Sequence, residues 1–306
     1  MRRVTAVLTL AVALATVAGC GGSPQPGSAK ATGVVAAQIK RPRPPVSYYL
    51  ALGDSLSIGV QPGSGGDTNT SQGYPDLLYA SLRRTRPGLR LVRLGCSGET
   101  TATMIHGGIC SYPGGSQLSA AVSFLRAHRG HVSLVTLDIG ANDPESCLTA
   151  SGLGKVSCAI RFAPDAAANL KLIVARLHQA AAGTRIVAMN YYLPALAEWR
   201  HGLIGEAEAH VIELATVGYN HLLTGIYRRA GIRVADVFDA FHSADFSPSV
   251  NVPGLGSLPR NVATICTLTW ECAPKPRGPN QHPNRAGYQV IARAFLAAGA
   301  GSAGHS

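Results

Sequence analysis

The chain has 306 residues, 46% hydrophobic and 14% charged, with a net charge of +11 from 27 basic and 16 acidic side chains. About 260 residues follow the N-terminal segment, enough for one large domain with a full core. The basic excess reads as a solvated surface or as attraction to anionic lipid or cell-wall polymer, and no basic stripe with interleaved aromatics suggests nucleic acid.

Met1 to Cys20 reads as an export signal, with Arg2 and Arg3 ahead of the apolar run Val4 to Ala18. Its end, Val17-Ala18-Gly19-Cys20, resembles the bacterial lipobox, in which the Cys is diacylated and becomes the new N-terminus. An ordinary signal peptide with a chance Cys is the alternative. Gly21 to Pro45 is rich in small residues, Pro and Lys, and reads as a flexible tether with a stiffer Pro-rich end. The expected domain spans residues 46–300, with 301–306 as a disordered tail. Past the signal, no apolar run reaches the roughly 18 residues a membrane span needs. Together these features predict an exported protein, anchored by lipid on the outer face of the cytoplasmic membrane or secreted.

Val46 to Gly59 is an apolar, aromatic-rich run ending in Gly-Asp-Ser, followed by a segment suited to open a helix. Ser55 then stands at the C-terminal edge of a strand, where open α/β folds place ligands. The polar loop Val60 to Tyr74 follows and should line the mouth of a pocket. Helices are expected over Tyr74–Arg86, Gln117–His128, Phe162–Ala182, Gly205–Ala230 and Pro283–Ala298. Further strands are expected over Leu89–Gly95, His131–Gly140, Thr184–Leu193 and Ile232–Phe238. Strands alternating with helices imply a five-stranded parallel sheet buried on both faces, in the flavodoxin-like order 2-1-3-4-5.

Six cysteines lie beyond Cys20, an even number that in an exported chain argues for disulfides. Six allow fifteen pairings. Closeness in the chain favours Cys96–Cys110, Cys147–Cys158 and Cys266–Cys272. With no CxxC and no clustered His spacing, no metal is implied.

Polar groups recur where strands end. Gly98 in Gly95-Cys96-Ser97-Gly98 lets a backbone N–H approach a substrate, having no side chain to block it. Asn142 in Gly140-Ala141-Asn142-Asp143 aims an amide at the same point, and His282 precedes the last helix in His282-Pro283-Asn284-Arg285-Ala286-Gly287. Each motif alone is common as a turn, a cap or a surface residue, but their order along one sheet edge is not.

In this ordered set the chain resembles the GDSL or SGNH hydrolases, whose four blocks match Gly53-Asp54-Ser55, Gly98, Gly140-x-Asn142 and His282. The resemblance covers nearly all of Val46 to Ala298. It implies a three-layer α/β/α sandwich and a carboxylic ester hydrolase, an esterase or lipase without cofactor. Ser55 would be the nucleophile and His282 the base, with Ser55 N–H, Gly98 N–H and Asn142 as the oxyanion hole. No GxSxG is present, which argues against the α/β-hydrolase elbow.

The family usually has Asp three residues before the His, where this chain has Pro279. Within the family the chain looks most like secreted actinobacterial-type esterases with three disulfides, where a main-chain carbonyl takes that place. Pro279 C=O is therefore the expected acceptor for His282 Nδ1–H. An intact DxxH, Asp239 to His242, is the competitor, but no Pro-Asn-x-x-Gly helix opening follows it. The stretch between the two histidines, with Trp270 and two Cys, should cover part of the cleft, whereas His178, His210 and His221 read as surface or packing residues. The expected substrate is a small-molecule or lipid ester, and a monomer is expected. Acyl transfer or deacetylation on envelope glycans, and a tethered binding protein that no longer turns over, are the alternatives.

Overall fold

The computed structural model describes residues 44–144 and 153–302, so the export signal, nearly all of the tether and Cys147 lie outside the described residues. In chain order the elements begin with β1 (Ser47–Gly53), the hairpin β2 (Gln61–Gly63) and β3 (Gly66–Thr68), α1 (Tyr74–Leu82) and β4 (Leu89–Arg93). They continue with α2 (Thr101–His106), α3 (Gln117–Ala127), β5 (Val132–Asp138), α4 (Leu153–Ala180) and β6 (Arg185–Met189). A 3-10 segment (Pro194–His201) leads into α5 (Gly202–Arg229), β7 (Arg233–Ala235) and α6 (Val237–Ala240). A second hairpin, β8 (Ser249–Val252) and β9 (Gly256–Pro259), precedes α7 (Arg260–Leu268), α8 (Arg285–Phe295) and a π-helical turn (Leu296–Ala300).

The apolar runs of β1 and β5 are buried along almost their whole length, as strands covered by helices on both faces must be. The sheet order is β4-β1-β5-β6-β7 with every pairing parallel, which is the expected 2-1-3-4-5. On one face α1 packs on α8, with the Tyr74 and Phe295 rings stacked 4.5 Å apart. α3, α4 and α5 lie side by side and complete the three-layer α/β/α fold. Among the described residues no helix is long and apolar enough to cross a membrane.

Several elements differ from expectation. The segment after Ser55 forms turns, and the next helix starts only at Tyr74. Asp54 diverts the chain: its carboxylate accepts from Leu56 N–H at 2.9 Å, and its carbonyl accepts from Ser57 Oγ at 2.7 Å. Such local bonds offer the backbone an alternative to a helix. α4 begins upstream of Phe162 and carries Pro164 within it. β7 is only three residues long because Asp236 caps α6, its side chain accepting from Asp239 N–H. The stretch between the two histidines folds as the second hairpin and α7, which packs on the 3-10 segment and on α8. His178, His210 and His221 are exposed, and His210 also packs on the rings of Trp199 and Phe246.

Disulfides Cys96–Cys110 and Cys266–Cys272 are formed, while the Cys147–Cys158 pairing lies outside the described residues. The first holds the β4–α2 loop and the second the exit from α7.

The tightest approach in the sheet is at Gly53, φ +134°, where an added Cβ would lie 2.0 Å from the Asp138 carbonyl oxygen. Buried Gln117 brackets the same residue, accepting from Gly53 N–H at 2.7 Å and donating to Gly53 C=O at 2.9 Å. A side chain at Gly53 forces β1 from β5 and imposes an unfavourable backbone besides. Gly53→Ala is expected to cost about 3 kcal/mol or more. In a thermal melt that is a drop of about 6 °C or more for a domain of this size. An unchanged melting temperature would show that this contact does not constrain the fold.

Candidate functional site

All four sequence blocks sit at the C-terminal edge of the sheet or in the loop above it. Ser55 follows β1 and is 8% exposed. Among the described residues its Oγ has no hydrogen-bond partner, and its backbone N–H meets no acceptor. Block two is drawn alongside: Cys96 N–H donates to the Gly53 carbonyl at 3.0 Å. Glu99 N–H then closes a turn onto the Cys96 carbonyl at 3.1 Å. Gly98 takes the third place of that turn at φ +77°, where a side chain would be strained. The space in front of it is open: a Cβ added there would meet nothing within 4 Å. The Gly98 N–H likewise meets no acceptor among the described residues.

Asn142 joins the third block to the second, its Nδ2 donating to the Glu99 carbonyl at 3.0 Å. One amide proton is thereby fixed and the other left over. Next to it, Asp143 accepts from the N–H and hydroxyl of Thr101 and anchors the loop to the start of α2.

His282 is 6% exposed and lies just ahead of Asn284, whose side chain caps α8. Its loop is laced to the segment that follows Ser55. Gln61 Nε2 donates to the Pro283 carbonyl at 2.7 Å, Trp270 Nε1 donates to Gln61 Oε1 at 3.0 Å, and Tyr288 OH donates to the Val60 carbonyl at 3.0 Å. Val60 N–H in turn donates to the Ser55 carbonyl at 3.1 Å. No hydrogen bond joins the Ser55 hydroxyl to the imidazole here, and such bonds commonly tighten only when a substrate docks.

The orienting group is not the expected one. Asn280 Oδ1 accepts from both the backbone N–H of His282, at 3.0 Å, and the ring Nδ1, at 2.8 Å. The Pro279 carbonyl makes no hydrogen bond to the ring, because the nearer Asn280 side chain folds back over the same donors. Asn280 Nδ2 donates to Asp67 Oδ1 at 2.8 Å, which fixes which end of the amide faces the ring. Nδ1 must then carry the proton, and Nε2 is left with the lone pair. Asp67 Oδ2 lies 3.3 Å from the same Nδ1. Burial lowers the His282 pKa from its ordinary value, and the Asp67 carboxylate opposes that fall.

The sequence pattern singles out neither Asp67 nor Asn280. Asn280 sits in the Gly278–His282 stretch, but Asp67 is 213 residues from Asn280 and carries no motif. The competing pair is elsewhere: Asp239 is exposed, and His242 bonds Asp245 at 3.1 Å and Arg260 at 3.1 Å. His242 lines a separate groove with Thr264, Val290 and Arg293. Among the described residues no cluster of His, Cys, Asp and Glu fits a metal ion.

Beneath Ser55 lies a feature the motif alone does not disclose. Asp54 and Asp138 are both buried, with Asp54 N–H donating to Asp138 Oδ2 at 3.3 Å, Tyr191 OH donating to Asp54 and Tyr74 OH to Asp138. Burial pushes Asp54 up to about 6, and burial with the neighbouring Asp54 pushes Asp138 well above the carboxylate range. Like charges this close do not both ionise, so the pair retains a proton.

An open edge with a free serine, two unsatisfied N–H groups and a tautomer-fixed imidazole is an arrangement suited to acyl chemistry, and in this fold it defines an α/β/α ester hydrolase. The chain belongs to the GDSL-like lipase/acylhydrolase family, whose model matches residues 51–290 and so contains all four blocks. It is accordingly a carboxylic ester hydrolase. No curated protein sequence matches it. Among solved structures, an extracellular lipase from Streptomyces rimosus has a TM-score of 0.54 at 20% identity, covering 83% of this chain and 100% of that one. A lipase from a goat rumen metagenome has a TM-score of 0.52 at 16% identity, covering 84% and 99%. A mutant of an acetyl-xylooligosaccharide esterase from Geobacillus has a TM-score of 0.51 at 18% identity, covering 83% and 94%. At these identities the likeness is one of fold.

The buried carboxyl pair has a consequence for stability. Its folded pKa values lie above the unfolded value of 3.8, so between 3.8 and about 6 the native chain binds more protons than the unfolded one. That contribution is full at low pH and is lost as pH rises through the window. Asp138→Asn, by removing one partner, should flatten this fall. Urea unfolding of both proteins from pH 4 to 7 measures the difference, and parallel curves would mean that the pair holds no extra proton.

Proposed function

We propose that the protein is an extracytoplasmic serine esterase or lipase that works through an acyl-Ser55 intermediate. The observation that carries this reading is the pair of unsatisfied backbone N–H groups, at Ser55 and Gly98, beside an unpartnered Ser55 hydroxyl. Ser55 Oγ attacks the ester carbonyl while His282 Nε2 takes its proton. The tetrahedral oxyanion then sits among Ser55 N–H, Gly98 N–H and the remaining Asn142 amide proton. As the carbon–alkoxide bond breaks, His282 returns the proton to the leaving alcohol. Water, deprotonated by the same imidazole, releases the acid and restores Ser55.

The solved structures of like fold include both lipases and an acetyl-xylooligosaccharide esterase. A substrate panel should therefore run from acetylated glycans to long-chain acyl esters, with an acceptor alcohol added to detect acyl transfer. The two formed disulfides support an oxidising compartment. Lipidation at Cys20 fits the lipobox-like sequence. Cys20→Ser should release the protein from the membrane or stall its processing, read by fractionation and immunoblot; unchanged membrane retention would argue for another anchor.

Ser55→Ala and His282→Ala should each lower kcat by at least about 1,000-fold with the circular dichroism spectrum preserved, since such partners act as a unit. Asp239→Asn and His242→Ala should stay within a few-fold of wild type, since Asp239 is exposed and His242 bonds Asp245 and Arg260 instead. A fluorophosphonate should label wild type and spare Ser55→Ala. Wild type that takes up no label and hydrolyses no ester would favour the inactive, tethered binding protein.

A further inference from the structure

We propose that Asp67, carried on β3, is the acid partner of His282, so that the third member of the catalytic set comes from the hairpin after Ser55. The proposal rests on the Ser55–His282 reading and deepens it. Three observations converge on Asp67. Its Oδ2 lies 3.3 Å from His282 Nδ1. Its Oδ1 accepts from Asn280 Nδ2 at 2.8 Å, and Asn280 Oδ1 accepts from the same Nδ1 at 2.8 Å. The hairpin that carries it is fastened to the histidine loop through Gln61, which bonds the Pro283 carbonyl and Trp270.

The carboxylate therefore acts on the imidazole in two ways, directly by charge and indirectly by aiming the Asn280 amide. When Nε2 takes the Ser55 proton, the ring becomes cationic, and Asp67 supplies the nearest negative charge. Other ionisable groups around the ring are otherwise engaged. Tyr192 OH donates to the Gln281 carbonyl, Tyr288 OH donates to the Val60 carbonyl, and Arg277 stacks over Trp270. Glu271, on the exit from α7, makes no hydrogen bond to the ring. Asp67 is a positioning residue rather than a catalytic one, since it reaches the reacting atoms only through the ring.

Its side chain is 40% exposed, so solvent screens its charge and a buried triad acid is not the right scale. Asp67→Asn retains an acceptor for Asn280 and deletes the charge. The expected result is a fall of about 10- to 100-fold in kcat/KM, with KM little changed and the acid limb of the pH profile moved to lower pH. Asp67→Glu should recover part of the loss. The pKa of His282, followed by NMR of the imidazole in the resting enzyme, should fall in Asp67→Asn and stay put in Asp239→Asn. That titration needs no turnover, so it separates this proposal from the esterase reading: a silent wild type with a shifted imidazole would sink the latter alone. An imidazole pKa and a kcat/KM profile that are both unmoved in Asp67→Asn would overturn the role of Asp67 and leave Asn280 as the sole orienting group.

Discussion

The contact between the end of β1 and Asp138 on β5 is the constraint from which the site follows. Gly53 has no side chain, so the two backbones close until Asp54 N–H reaches the Asp138 carbonyl at 3.1 Å. Asp54 is thereby carried into the interior beside a second carboxyl, where Leu56 N–H and Tyr191 OH donate to it. With Asp54 turned inward, the next residue, Ser55, is presented at the sheet edge. Leu56 N–H is consumed by Asp54 Oδ1, while the N–H of Ser55 meets no acceptor among the described residues. Burying two carboxyl groups is costly unless they share a proton and keep hydrogen bonds. The hydroxyls of Tyr74 and Tyr191 supply those bonds.

A second constraint assembles the far side of the cleft. The loop bearing His282 bonds within itself through Asn280 and also to the segment after Ser55, across separations of 213 and 222 residues. The segment after Ser55 and the loop of His282 are thus stapled through Gln61 and Asp67, both on one short hairpin. Near the base of that hairpin, Tyr288 on α8 reaches back to Val60. The Cys266–Cys272 bridge limits the freedom of the chain just before Trp270, the third member of this lacing. The loop of His282 is consequently positioned from three directions.

The sheet was legible in the sequence because its central strands are long, apolar and β-branched or aromatic, and because helices of ordinary length separate them. The order of the strands followed from parallel pairing with one reversal. Shorter elements were not legible. α2 has six residues and a capping box built with Thr103 in place of the usual Glu or Gln, and the two hairpins have strands of three or four residues. Within the site, Ser55, Gly98, Asn142 and His282 stood out through spacing and strand ends. Asn280 and Asp67 did not, since their significance lies in a tertiary contact that no local pattern encodes. The helix expected after Ser55 failed for a similar reason: Asp54 and Ser57 spend their local bonds on a turn, and propensity does not register that competition.

Replacing the usual acid three residues before the histidine with Pro279 separates two tasks that one carboxylate performs elsewhere. Asn280 fixes the tautomer with a neutral acceptor, which holds the ring at any pH at which the loop is folded. In the proposed set charge stabilisation falls instead to Asp67, partly in solvent, where its desolvation cost is small and its pull on the imidazolium correspondingly modest. Burial of His282 works in the opposite direction by disfavouring the protonated ring. Two opposed effects therefore meet at one ring, the Asp67 carboxylate favouring its protonated form and burial disfavouring it.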